Sequence, residues 1–172
     1  MELWDLYTEN RVKTGETHVR GNPLPENKYH LVVNVWIKNS EGKYLISRRS
    51  RKKSRNPLKF ETVGGAVLKG ENSLQAAIRE TKEEVGIDLD TKTTKLVYSD
   101  VRKNLNSILD VYLFEYDGTV DLKNVTTDEV ESVGFMNTEQ IYGLCKDGLL
   151  FIRLIIVLRK YLVFRRWKTK CA

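Results

Sequence analysis

The chain has 172 residues, 41% hydrophobic and 30% charged, and its 29 basic and 23 acidic side chains leave a net charge of +6. These values suit one globular domain with a sizeable core, and so small a basic excess suits anionic substrates without arguing for nucleic acid. Two cysteines, Cys145 and Cys171, and two histidines, His18 and His30, exclude a disulfide framework, a zinc knuckle and a His-rich metal site.

In chain order, residues 3–7 predict a short strand, among acids where a signal peptide would need basic and then apolar residues. A polar loop carrying Gly15, Gly21, Pro23 and Pro25 follows. Residues 29–38, rich in Val, Ile and Trp, predict a buried strand. Asn39-Ser40-Glu41-Gly42 is a turn, and residues 44–49 return as the second arm of a hairpin. Residues 50–59 are polar, basic and broken by Asn56-Pro57, hence a loop. Residues 60–67 are extended, with Gly64-Gly65 allowing a bulge or a close backbone approach.

Asn72 or Ser73 caps a helix that runs to about Val85 and stops at Gly86, with Leu74, Ile78, Thr81 and Val85 as its inner stripe. Strands are expected at 95–101 and 108–116, an acidic loop at 126–131, a strand at 133–137 and a helix near 138–146. The segment at about 149–167 is apolar almost all round, apart from Arg153, Arg159 and Lys160. It predicts a C-terminal helix docked on the sheet; a homodimer interface and a basic amphipathic membrane contact are its other readings. No run of about 18 apolar residues is present to span a bilayer. Residues 1–172 therefore read as one soluble, cytoplasmic domain with both cysteines as free thiols.

Chemistry concentrates in the predicted helix. Glu80, Glu83 and Glu84 fall at i, i+3 and i+4, on one helical face. Like-charge pairs at that spacing cost a helix about 0.2–0.5 kcal/mol each, so their retention points to a hard divalent cation such as Mg2+, which shares oxygen ligands with substrate phosphates. Arg79 flanks the cluster and can orient a glutamate through a bidentate pair. Ala76 and Ala77 leave room beside it. A solvated acidic face is the plainer alternative. Seven basic residues crowd 48–59; Arg49 foremost, with Lys53, is the candidate contact for the remaining phosphates, against a reading of solvated surface charge.

Gly65, Glu71, Arg79, Glu80, Glu83, Glu84, Gly86 and Ile87 together match Gly-x5-Glu-x7-Arg-Glu-x2-Glu-Glu-x-Gly followed by an aliphatic residue. This pattern resembles the Nudix box. Thr81 departs from it, where the family usually has an aliphatic residue, and its hydroxyl can bond the carbonyl one turn back. The resemblance implies an α+β fold, an α/β/α sandwich around a central mixed β-sheet. It implies hydrolysis, with Mg2+ or Mn2+, of the diphosphate of a nucleoside diphosphate derivative or related X-linked diphosphate, that is, a pyrophosphatase with a small-molecule partner. Glu80, Glu83 and Glu84 become metal ligands, joined by the Gly65 carbonyl, and one of them the general base; Glu71 pairs with Arg79. In the acidic loop, Glu129 is the choice for a further catalytic or metal-binding glutamate.

Upstream of the box, residues 4–15 and 29–50 look like the subgroup related to isopentenyl-diphosphate isomerases. That raises double-bond isomerisation as a rival. The isomerase's cysteine and histidine are missing where this chain has Glu61-Thr62-Val63-Gly64-Gly65. His30 aligns with an isomerase metal-site histidine but lacks its partners, and reads as structural or substrate-side. A non-catalytic nucleotide- or RNA-binding domain is the third class; intact glutamates and the lack of interleaved aromatics in the basic runs argue against it.

Overall fold

The computed structural model describes residues 1–125 and 127–150. Its strands are β1 (Leu3–Tyr7), β2 (Lys13–Val19), β3 (Tyr29–Lys38), β4 (Tyr44–Arg49), β5 (Phe60–Glu61), β6 (Lys95–Arg102), β7 (Ser107–Glu115) and β8 (Val130–Met136); its helices are α1 (Ser73–Val85) and α2 (Thr138–Lys146).

β3 is apolar on both faces because both are covered. Leu31, Val33, Val35 and Ile37 enter one core, with Ala76, Ala77 and Val85 of α1. Trp36 enters the other, with Tyr44, Ile46 and Ile141 and Cys145 of α2. The arrangement is the expected mixed sheet between helical layers.

One edge of β3 runs parallel to β7 from His30 opposite Ser107 to Lys38 opposite Glu115, and β6 continues antiparallel beyond. Three segments share the other edge. β1 pairs at Tyr29 and His30, bridges join Val32 to Ala66 and Val35 to Val63, and β4 meets β3 only at Lys38 and Tyr44. The predicted hairpin therefore closes at its turn and then opens. The Val33 and Val35 amides donate to the carbonyls of Gly65 (2.9 Å) and Val63 (2.8 Å), so residues 63–66 occupy the edge that the hairpin would have used. β4 pairs instead with β5 and β8.

The stretch around Gly15, expected as loop, is β2, paired with β1 from Leu3 opposite Val19 to Tyr7 opposite Lys13. Most of its side chains are exposed, so it carries no alternating pattern to read.

Capping boxes start both helices, Asn72 with Gln75 and Asn137 with Gln140, and Gly86 ends α1 in the left-handed region at φ 72°. The buried face of α1 differs from the predicted stripe. Ala76, Ala77, Thr81, Glu84 and Val85 are buried, while Leu74 and Ile78 are only partly so. Two successive alanines let the helix approach the sheet closely, centring burial on them and carrying Glu84, two turns on, under the helix. The Thr81 hydroxyl donates to the Ala77 carbonyl at 2.7 Å, which satisfies it in the core.

The tip of the β1–β2 hairpin is tied to β7. Arg11, left-handed at φ 61°, grips the buried Asp110 carboxylate through both terminal nitrogens at 2.8 Å. Such a backbone costs an ordinary residue about 1–2 kcal/mol, which the bidentate pair offsets. Burial alone would push the Asp110 carboxyl up, but bonds from Arg11, Ser73 and Ser99 hold it below the usual range. A carboxylate with a lowered folded pKa stabilises above its unfolded pKa of about 4 and loses that contribution as pH falls through the folded value. In denaturant titrations near neutral pH, Asp110→Asn is expected to cost about 2 kcal/mol, discounted for the partial exposure of Arg11. The gap to the parent should narrow on acidification below about pH 4.

Leu149 and Leu150 do not begin a helix; Leu150 bridges to Phe60. The rest of the predicted C-terminal helix lies outside the described residues. Cys145 is disulfide-bonded, not a free thiol as its sequence context suggested. No helix among the described residues is long and apolar enough to cross a membrane.

Candidate active site

α1 brings Arg79, Glu80, Glu83 and Glu84 to the lining of a cavity of about 750 Å³. Arg79 organises that lining with all five of its N–H donors. Two go to Glu71 (2.8 and 3.1 Å), one to Glu80 (2.9 Å), one to Glu83 (3.1 Å) and one to the Ala66 carbonyl (3.0 Å). Burial works against the Arg79 charge, but Glu71 and Glu80 outweigh it and raise its pKa. Glu71 also accepts the Leu68 amide at 3.0 Å. The pair expected between Glu71 and Arg79 thus locks the loop entering α1.

Glu84 stands differently. It is 7% exposed and lines the cavity, yet among the described residues no hydrogen bond or ion pair reaches its carboxylate. Burial, reinforced by Glu80, Glu61 and Glu129, pushes its pKa well above the ordinary glutamate value. Glu80 is also raised, first by burial, with Arg79 pulling the other way. Gly65 packs directly on it: a Cβ at that position would fall 2.1 Å from the nearer Glu80 oxygen.

Facing α1 are two basic side chains already engaged. Glu61 lies opposite Ser47 in the β4–β5 pair, so Arg49 is its diagonal neighbour, within reach of a long side chain. They form an ion pair at 2.5 Å. The register of β4 against β8 slips between Arg48 and Arg49, the kind of bulge that re-aims a side chain at a sheet's end. Lys53 pairs with Glu129 at 2.5 Å, and the Ser50 amide donates to the Glu129 carbonyl at 2.8 Å. Arg51–Glu131 and Lys52–Asp128, both 2.7 Å, continue outward as exposed rungs, which contribute little to stability. The basic loop is therefore paired rung by rung with the acidic loop.

Among the described residues no three His, Cys, Asp or Glu side chains converge closely enough to hold a metal ion as they stand. Arg79, Arg49 and Lys53 divide Glu80, Glu83, Glu61 and Glu129 among themselves. The donors remain oxygen throughout. The Gly65 carbonyl accepts the Val33 amide and keeps a second lone pair.

The cavity is also lined by Trp4, His30, Asn34, Arg102 and Ser107. Trp4 and His30 stack with centroids 4.2 Å apart and planes 13° apart. His30, read as structural or substrate-side, stands on this wall. The predicted residues Gly65, Arg79, Glu80, Glu83, Glu84, Glu129, Arg49 and Lys53 all line the one cavity. Sequence reading missed Glu61 and the Trp4 wall. Glu61 joins the site through strand register, for which local spacing gives no signal, and Trp4 reads as an ordinary apolar strand residue.

Comparison with known proteins adds an independent line. The NUDIX domain family model matches residues 28–155. An uncharacterised Nudix hydrolase of Listeria innocua is 39% identical over 151 residues, 86% of this chain and 87% of that protein. A Nudix hydrolase of Deinococcus radiodurans is 33% identical over 69% of this chain and 70% of its own. The crystal structure of DR0079 from Deinococcus radiodurans superposes with a TM-score of 0.74 at 26% identity, covering 92% of this chain and 98% of that one.

Proposed function

Because the chain belongs to the NUDIX domain family, we propose that it is a hydrolase using Mg2+ or Mn2+ to cleave the diphosphate of a nucleoside diphosphate derivative or related X-linked diphosphate. Glu84 carries this reading: a buried carboxyl with no ion pair among the described residues, inside a cavity that also holds Glu61, Glu80, Glu83 and Glu129. Burial favours the neutral form of this carboxyl, and a cation bound beside it would favour the carboxylate. Oxygen donors alone suit Mg2+ or Mn2+; once bound, such an ion neutralises phosphoryl oxygens and lowers the pKa of bound water.

In this reading Glu80, Glu83, Glu84 and the Gly65 carbonyl hold the cation. One of these three glutamates would take a proton from the attacking water, with Glu129 as a further catalytic or metal-binding carboxylate. Arg79 fixes Glu80 and Glu83 in orientation, and Arg49 and Lys53 contact the phosphate that is not attacked. The intact set of box glutamates supports a hydrolase over a non-catalytic binding domain. Isomerisation of a prenyl diphosphate is disfavoured despite the upstream likeness, because no thiol or imidazole stands between Phe60 and Gly65.

The test is a panel of nucleoside diphosphates and triphosphates, nucleotide sugars and prenyl diphosphates, assayed for phosphate or monophosphate release with Mg2+ and with EDTA. Metal-dependent release from at least one class is expected. Conversion of isopentenyl to dimethylallyl diphosphate without phosphate release, followed by NMR, would overturn the assignment.

A further inference from the structure

Resting on the diphosphate reading of this cavity, we propose that Glu61 and Glu129 hold Arg49 and Lys53 in reserve, and that the two basic side chains pass to substrate phosphate only after divalent cation has entered. Metal then precedes diphosphate, and Glu61 is a positioning residue acting through Arg49.

The geometry of Arg49 is suited to such an exchange. Its Nε and one Nη2 hydrogen donate to the Arg55 carbonyl at 3.2 and 3.1 Å, while Nη1 reaches Glu61. The two bonds to the Arg55 carbonyl hold the guanidinium at the cavity wall independently of the Glu61 contact. Lys53 is comparably placed. Its amide donates to the Ser50 carbonyl at 3.1 Å, and Ser50 in turn binds the Glu129 main chain, so both backbones stay in register whichever way the side chains pair.

The carboxylates have a competing claim on them. Glu61 and Glu129 line the same cavity as Glu84 and act electrostatically on it, with Lys53 acting in the opposite sense; among the described residues no ion pair reaches that buried acid. A divalent ion drawn into this cavity competes for the same carboxylates, with twice the charge of an arginine or lysine. A basic group in an ion pair has little left for a phosphate; once released, it offers the charge-assisted bonds that phosphate takes.

Calorimetric binding of inorganic pyrophosphate tests the exchange on the full chain. The parent is expected to bind it with Mg2+ and at least about tenfold more weakly in EDTA, the worth of one charge-assisted bond. Glu61→Gln should recover about tenfold in EDTA, and adding Arg49→Met should abolish that gain. Glu129→Gln, which frees Lys53, provides the second limb should Glu61→Gln fail to fold by circular dichroism. Glu84→Gln removes an acidic side chain from the same cavity without releasing Arg49, Lys53 or Arg79 from an ion pair, so no comparable gain is expected. Equal gains in Glu84→Gln and Glu61→Gln, or no gain in Glu61→Gln or Glu129→Gln, would overturn the exchange. Failure of the parent to bind pyrophosphate even with Mg2+ would instead bring down the diphosphate reading.

Discussion

Glu84→Gln is expected to lower diphosphate turnover by about 10²–10⁴-fold while making the metal-free protein more stable. Both effects have one cause. Glu84 is buried, faces three other carboxylates and has no contacting cation among the described residues. An amide of the same shape removes the charge and keeps the volume, which should be worth about 1 kcal/mol or more. Calorimetric Tm in EDTA and kcat in Mg2+, measured on the same preparations, check the two halves. A rise in Tm with loss of turnover separates a functional charge from a structural one. A variant that keeps its activity would remove Glu84 from the site, and one that loses both would give it a structural role.

The adjacent glycines should fail in opposite ways. A Cβ on Gly64 would stand 2.5 Å from the Val33 carbonyl oxygen, which is backbone of the central strand and cannot give way. Gly64→Ala is expected to cost about 1–3 kcal/mol by prising residues 63–66 off β3. A Cβ on Gly65 meets the end of a side chain, the Glu80 carboxylate at 2.1 Å. That group can swing aside, so Gly65→Ala should fold with nearly parental Tm but need about 10–100-fold more Mg2+ for half-maximal rate, as for other displaced supports of a metal site. Denaturant unfolding and Mg2+ titrations of activity on both variants would distinguish these outcomes. Equal unfolding of the two would show that the loop is only a structural turn.

What could be read from the chain was what is local. α1 announced itself through Asn72, Gly86 and the spacing of its glutamates, all within a few turns, and β3 through an apolar run that only a strand covered on both sides requires. The mixed sheet between helices, and the family, came from the same window. Arg49 and Lys53 were recognisable as basic but not as paired, because Glu61 and Glu129 reach them through the pairings of β4 with β5 and β8. Hydrophobic periodicity fixes which face a residue occupies and says nothing about which strand lies alongside. The exposed β2 escaped for a related reason: it is held by β1, with no buried stripe of its own. The inner face of α1 was misjudged because two alanines weigh little on a hydrophobicity scale yet decide how near a helix can come.

The parallel pairing of β3 with β7 has a consequence for how the protein is made. Parallel contacts between residues so distant in sequence are slow to form, since loop closure is unfavourable before any ladder bond compensates it. Gly65 to Ile87 lie wholly within the loop that this pairing closes. A nascent chain cannot complete the ladder until Glu115 has emerged from the ribosome, and Glu129 and β8 emerge later still, so catalytic competence should not precede this pairing. Weakening β7 would then appear in cells as missing enzyme, although every residue of the box was untouched.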